Sequence, residues 1–259
     1  MDYFQSSKVG KPPKGYLYKR VLLKLSGEAL LGNRSFGVDP QEIEHLARSI
    51  KKIYDAGIEI GIVVGGGNFF RGMSASKNGM DRAQADNVGM LATIMNALAL
   101  QDGFEQNGLY TRVMTSIQMQ QIAEVYIRRR AIRHLEKGRI AIFAGGTGNP
   151  YFTTDSAAAL RALEIDAQCI IKATKVNGVF DKDPALHDDA QRYELISHRD
   201  VLAKDLKVMD AAATALCRDN NLPILVLDIN ENNVFEKALK GKHIGTLVTP
   251  ETVEPKMYR

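Results

Sequence analysis

The sequence predicts an α/β fold, a mainly parallel sheet with helices on both faces. Apolar, β-branched runs alternate with segments of helical periodicity along most of the chain. The helical segments between strand candidates are long enough to serve as right-handed crossovers, which is how parallel strands are joined. Glycines, hydroxyls and cations crowd the positions just past several strand candidates, where an open parallel sheet binds its ligands.

Taken in order, residues 1–16 carry Pro12-Pro13 and several lysines and read as an arm. Residues 20–25 form a strand. Residues 39–54 place Ile43, Leu46, Ala47, Ile50 and Ile53 at helical spacing, with Asp39 as N-cap and Pro40 at the first helical position. A strand at 58–64 precedes a long helix at 80–106. There Met90, Leu91, Ile94, Met95 and Leu98 make a stripe expected to contact another subunit. A strand at 111–114, a helix at 119–136 and a strand at 140–144 follow. Residues 156–164 are predicted helical, capped by Asp155. The pattern closes with a strand at 168–172, helical turns at 200–202 and 208–219, a strand at 224–227 and a helix at 234–239. The acidic stretch 184–192 reads as an excursion over a site.

With 259 residues, 45% hydrophobic and 25% charged, the chain has ordinary globular proportions and can bury a core without staples. Cys169 and Cys217 have no CxxC partner, which excludes a disulfide framework. His45, His134, His187, His198 and His243 make no i,i+4 pair, so no protein-built metal site is expected. The net charge of +4 tilts toward anionic partners without pointing to nucleic acid. No run approaches the roughly 18 apolar residues of a membrane span, and no apolar signal core opens the chain, so a cytoplasmic protein is expected.

The chemistry lies in four loops. They are Lys24-Leu25-Ser26-Gly27-Glu28, then Gly65 through Gly72 (GGGNFFRG), then Gly145 through Asp155 (GGTGNPYFTTD), then Ala173 through Asp183 (ATKVNGVFDKD). Such residues suit phosphate. Glycine lets backbone N–H groups approach an anion, and a following helix N-terminus adds a positive dipole. Lys24 supplies a point charge and Arg71 a fork. Two familiar motifs are absent. Gly27 and Gly32 have P-loop spacing, but Asn33 and Arg34 stand where that motif needs lysine and a hydroxyl. Phe70 occupies the third glycine of a dinucleotide fingerprint.

The segments KLSGEAL, GGGNFFRG, DNVGMLATIMNALAL, AGGTGNPYFTTDSAA, IKATKVNGVFDKDP and LKVMDAAA, in this order, closely resemble the bacterial uridylate kinases of the amino-acid kinase family. The resemblance runs from about residue 18 to the C-terminus. It implies a three-layer αβα sandwich, with residues 18–259 as one domain and 1–17 as a flexible arm. The N-terminal part would hold mainly UMP and the oligomer contact, the C-terminal part mainly ATP. It also implies conversion of UMP to UDP in pyrimidine nucleotide biosynthesis, a homohexamer, activation by GTP and inhibition by UTP.

Residue by residue, it assigns Lys24, Leu25, Ser26, Gly27, Gly67, Arg71, Thr174, Phe180 and Asp183 to ATP. Gly66, Asp86, Thr147, Gly148, Asn149, Pro150, Tyr151, Phe152, Thr153 and Thr154 fall to UMP. The segment Gly32, Asn33, Arg34, Ser35, Phe36 and Gly37 aligns with an effector site for GTP.

The acceptor is itself a phosphate with a second pKa of about 6, so it is anionic at neutral pH and no general base is required. The demand is to position two repelling anions and neutralise the transferring group. Lys24 is expected to contact the phosphoryl in flight. Asp155 and Asp210 are candidates for orienting lysines or Mg²⁺-bound water, with Mg²⁺ carried mainly by nucleotide phosphates. A kinase acting on a carboxylate or carbamate would lack GTGNPYFTTD. A nucleic-acid-binding module would use the basic helix around Arg128, Arg129, Arg130 and Arg133.

Overall fold

A computed structural model of the chain describes residues 9–70, 79–251 and 253–258. Strand β1 (Arg20–Leu25) is followed by a 3₁₀ turn (Gly27–Leu30) and helix α1 (Pro40–Asp55). Then come β2 (Glu59–Val64), α2 (Arg82–Gln106), β3 (Thr111–Thr115), β4 (Glu124–Val125) and α3 (Arg128–Glu136). The next elements are β5 (Ile140–Ala144), α4 (Thr154–Glu164), β6 (Cys169–Thr174), β7 (Tyr193–Ser197), α5 (His198–Ala203) and α6 (Ala211–Asp219). Strand β8 (Ile224–Asp228), α7 (Val234–Leu239), β9 (Thr246–Thr249) and β10 (Lys256–Met257) complete the described chain.

One ten-stranded sheet runs β10-β7-β9-β8-β6-β1-β2-β5-β3-β4. Its centre is parallel, and among the described residues only the β8–β9 and β10–β7 strand pairs are antiparallel. The central strands read as continuous apolar runs because both of their faces are covered. Val21, Leu23 and Leu25 of β1 point to the layer containing α1, α2 and α7. Leu22 points to the opposite layer, with α3 through α6. Alternation along β6 is the same, with Cys169 and Ile171 on one face and Ile170 on the other. The three-layer sandwich expected from the sequence is the fold observed.

The first strand and helix fall where the sequence places them, with Asp39 accepting from the Gln41 N–H at 3.0 Å. Several boundaries need correction. The helix expected over 119–136 begins only at Arg128, because Glu124 and Val125 pair with Met114 and Thr115 at the sheet edge. The helix expected to be capped by Asp155 is capped by Thr153, whose hydroxyl accepts from the Asp155 and Ser156 N–H groups at 3.0 and 3.3 Å. That releases the Asp155 carboxylate for other work. Residues 208–219 are helical only from Ala211, with Asp210 as N-cap. Strands β4, β7, β9 and β10 were not expected. They are short, and partners across the sheet hold them in place. The α2 stripe divides: Met90 and Ile94 are buried in this chain's own core, whereas Leu91 and Met95 are exposed.

Of the N-terminal arm, residues 9–17 are described; the Leu17 N–H donates to the Leu239 carbonyl at 2.8 Å. Cys169 is fully buried, and burial pushes its thiol up to about 12, so it is inert at neutral pH. His198, also fully buried, has one ring nitrogen 3.0 Å from the Leu222 carbonyl oxygen. Burial lowers its pKa, against the pull of that hydrogen bond. A buried base held neutral supports the fold above its unfolded pKa of about 6.5, and this support is lost as pH falls from there through its folded pKa. Thermal melts should therefore show Tm dropping between pH 7.5 and 5.5. A His198→Gln variant should lose part of that slope, and an unchanged slope would remove His198 from the account.

Candidate active site

Strands β6, β1, β2 and β5 are parallel neighbours, so their four following loops emerge at one edge of the sheet. The Gly65 N–H donates to the Leu25 carbonyl at 2.9 Å, carrying the β1–β2 contact past the strand ends. Lys24, Thr147 and Thr174 thus belong to a single rim. Arg71, the fourth group expected there, lies outside the described residues.

At the centre of this edge two lysines share one carboxylate. Lys24 and Lys172 are register partners on β1 and β6, so they project from the same face of the sheet. Lys24 Nζ lies 2.7 Å from Asp155 Oδ1, and Lys172 Nζ lies 3.2 Å from Asp155 Oδ2. Burial alone would raise the Asp155 pKa, but the two ammoniums outweigh it and hold the carboxyl below the usual range. Burial, with the charge of Lys24, lowers the Lys172 pKa despite the pull of Asp155. Lys172 also donates to the Val208 carbonyl.

Asp210 caps α6 by accepting from the Ala213 N–H at 2.8 Å. The same carboxylate takes the Thr153 hydroxyl, and the Ser156 hydroxyl at 3.0 Å. It therefore clips the start of α4 to the start of α6, placing two helix N-termini beside the lysine pair.

Two clefts flank this centre. One, of 220 Å³, is lined by Gly66, Asp86, Thr147, Asn149, Phe152, Thr153 and Thr154, together with α2. Asp86 Oδ2 accepts from the Tyr151 N–H at 2.8 Å and from Arg82 Nε at 2.8 Å, which ties the GTGNPY loop to the start of α2. The other cleft, of 440 Å³, is lined by Lys172, Thr174, Phe180 and Asp183 among others. Gly148, Pro150 and Tyr151 belong to the loop over the smaller cleft but do not line it. Leu25 turns its side chain fully into the core, so only its backbone is available to a ligand. Ser26 caps the 3₁₀ turn, accepting from the Glu28 N–H at 3.3 Å. Gly27 must be glycine, since a Cβ there would stand 2.4 Å from Asn68 Oδ1 and 2.7 Å from the Gly65 carbonyl oxygen. Gly67 sits next to that contact, on the loop after β2. Residues 32–37 line neither cleft. Phe36 is exposed and stacks edge-on against Phe69 at 5.4 Å, and the Gly37 N–H donates to the Asn68 carbonyl at 3.1 Å.

Lys172, Arg82 and Ser156 were missed by the sequence reasoning. Lys172 did leave a signal: a lysine inside the apolar run CIIKAT is as costly as the one in RVLLKL, and each demands a partner. Ser156 and Arg82 left none, because ordinary helix-start residues carry no mark of what they face. Among the described residues no three His, Cys, Asp or Glu side chains converge to hold a metal. Asp155 is engaged by both lysines, and Asp210 by Thr153 and Ser156. Three arginines of the basic helix pair within the chain: Arg128 with Asp166 at 2.8 Å, Arg130 with Glu124 at 3.8 Å and Arg133 with Glu136 at 3.3 Å.

A parallel sheet whose glycine-rich edge carries two clefts and a lysine pair sharing one carboxylate is the architecture of a phosphotransferase. The chain belongs to the amino acid kinase family, whose model matches residues 19–228. It is similar to the UMP kinase of Bacillus anthracis, with 41% identity and a TM-score of 0.90 over 96% of this chain and 100% of that one. The UMP kinase of Ureaplasma parvum is 39% identical, with a TM-score of 0.84 over 90% of this chain and 99% of that one. The uridylate kinase of Archaeoglobus fulgidus is 26% identical, with a TM-score of 0.67 over 88% of this chain and 99% of that one.

Proposed function

We propose that this protein transfers the γ-phosphoryl group of ATP to UMP, releasing UDP and ADP in pyrimidine nucleotide biosynthesis. The observation that carries this reading is the Lys24–Asp155–Lys172 cluster set between two clefts, Lys172 lining the larger and Thr153 and Thr154, just before Asp155, lining the smaller. The smaller cleft takes UMP, with Gly66, Asp86 and residues 147–154 around it. The larger takes the nucleoside of ATP, with Thr174, Phe180 and Asp183, while residues 24–27, Gly67 and Arg71 hold its phosphates. In domain terms, residues 18–259 act as one unit, with UMP mainly in the N-terminal part and ATP mainly in the C-terminal part.

The UMP phosphate oxygen attacks the γ-phosphorus in line, the bond to the β,γ-bridging oxygen breaks, and ADP leaves with that electron pair. The acceptor is already anionic, so no residue need remove a proton. Lys24 faces the transferring group, and Asp155 keeps Lys24 and Lys172 from repelling each other apart. Asp210 acts by holding α4 and α6 together. Mg²⁺ bound with ATP would neutralise phosphate charge.

Residues 32–37 are the place for activation by GTP, and UTP would compete for the UMP cleft. The exposed pair Leu91 and Met95 supports contact between subunits of a homohexamer. No helix among the described residues is long and apolar enough to cross a membrane, in keeping with work in the cytoplasm. The four strand-end loops at one sheet edge argue against the nucleic-acid alternative.

A coupled ADP-release assay across UMP, CMP, dUMP and AMP, with and without GTP, tests the reading. Turnover is expected with UMP and rises with GTP. No ADP above background with UMP overturns it.

A further inference from the structure

Helix α2 turns polar side chains inward on the face where a core helix would carry only apolar ones. Thr93 is 3% exposed and Asn96 fully buried. Three residues apart, they share one side of the helix with Gly89 and Asp86. Each holds a different glycine-rich loop. The Thr93 hydroxyl accepts from the buried Gly145 N–H at 2.8 Å and donates to the Met90 carbonyl at 2.7 Å. Asn96 Nδ2 donates to the Gly65 carbonyl and to Asn68 Oδ1, both at 2.7 Å. Asn68 Nδ2 donates back to Asn96 Oδ1 at 2.9 Å and to the Gly37 carbonyl at 2.8 Å. The two amides thus use all their donors on each other and on loop backbone.

Backbone packing makes the contact tighter. A Cβ on Gly66 would come within 2.8 Å of both Ala92 Cβ and the Gly89 carbonyl oxygen, so this loop rests directly on α2. The loop after β1 abuts the same amide pair, since Asn68 Oδ1 is the atom a Cβ on Gly27 would strike. One helix face therefore sets the mutual position of the loops after β1, β2 and β5. In-line transfer is sensitive to that position, because a displacement of about 1 Å can cost a hundredfold in rate.

We propose that Thr93 and Asn96 are positioning residues that hold the donor and acceptor loops in register. The inference rests on the function proposed above and assigns its alignment to one helix face. Thr93, which also lines the smaller cleft, acts on the acceptor loop through Gly145. Asn96 acts on the loop carrying Gly66 and Gly67, and so on both substrates.

Thr93→Val keeps the shape and removes the acceptor. It should raise KM for UMP about tenfold, equivalent to about 1.4 kcal/mol, with KM for ATP within about twofold; the scale is that of a buried N–H left without a partner. Thr93→Ser keeps the hydroxyl and should behave as wild type. Asn96→Leu should raise KM for both substrates and lower kcat. Hydrogen exchange gives a readout independent of turnover: amides of residues 145–152 should exchange faster in Thr93→Val than in wild type, while those of β1 and β6 stay protected. Unchanged exchange in that loop overturns the proposal even where KM for UMP rises, because Thr93 also lines the smaller cleft and would then act by direct contact. So does an equal rise in both KM values for Thr93→Val, which would mean a general loss of packing. Wild-type protein inactive on UMP would instead defeat the proposed function and leave the exchange comparison to judge the role of α2.

Discussion

Lys24→Ala should reduce kcat by about a hundredfold or more, the scale of losing one donor aimed at charge developing in the transition state. The fold should survive. Lys24 is 8% exposed, but Asp155 keeps Lys172 at 3.2 Å, so no buried carboxylate is left without a counter-charge. The binding of UMP should change little, because the cleft proposed for it is lined by α2 and the loops after β2 and β5, without Lys24. Steady-state kinetics with both substrates varied, alongside a melting curve, checks this. A kcat within about threefold of wild type, with the fold intact, removes Lys24 from the reacting atoms.

The second large effect belongs to Asp155, and it should have the opposite signature. Asp155→Asn leaves two neighbouring ammoniums with no carboxylate between them, so stability and turnover should fall together. Removing one partner of a buried ion pair costs about 3–5 kcal/mol. The cost here should lie toward the lower end, since these side chains keep 10–16% of their exposure. The pH dependence follows from the same geometry. A carboxyl held below its unfolded pKa of about 3.9 stabilises the fold above that pH, and the contribution is lost as pH falls through the lower folded value. Wild type should thus lose stability below about pH 4 more steeply than Asp155→Asn does. Acid titration of both proteins followed by circular dichroism measures the difference. Equal acid sensitivity would mean the carboxylate does not balance the lysines.

Much of this was legible along the chain. Strand β1 and helix α1 follow from a six-residue run with four apolar residues, RVLLKL, and from Asp39-Pro40 before a helical stripe, both local signals. The four strand-end loops were equally plain, because phosphate selects glycines, hydroxyls and cations wherever it binds. Asp155 was harder. As the acidic residue nearest the apolar helix it looks like a cap, yet Thr153 supplies the hydroxyl that caps. A hydroxyl and a carboxylate compete for the same N–H groups, and the pull of two lysines elsewhere in the chain decides between them. The short strands β4 and β7 escaped detection because their pairing depends on an edge that exists only once the sheet has formed.

By itself, the sequence determined the layer order of the fold, the strands that end in glycine-, hydroxyl- and cation-rich loops and the family to which the chain belongs. These are written in residue periodicity and in motifs short enough to act locally. Only the tertiary structure decided which charges meet. Lys24 and Lys172 become neighbours through strand register, Asp210 reaches Thr153 across two helix starts, and Thr93 finds Gly145 across the interior. Coulomb and hydrogen-bond energies depend on distance in space, and distance along the chain does not encode it.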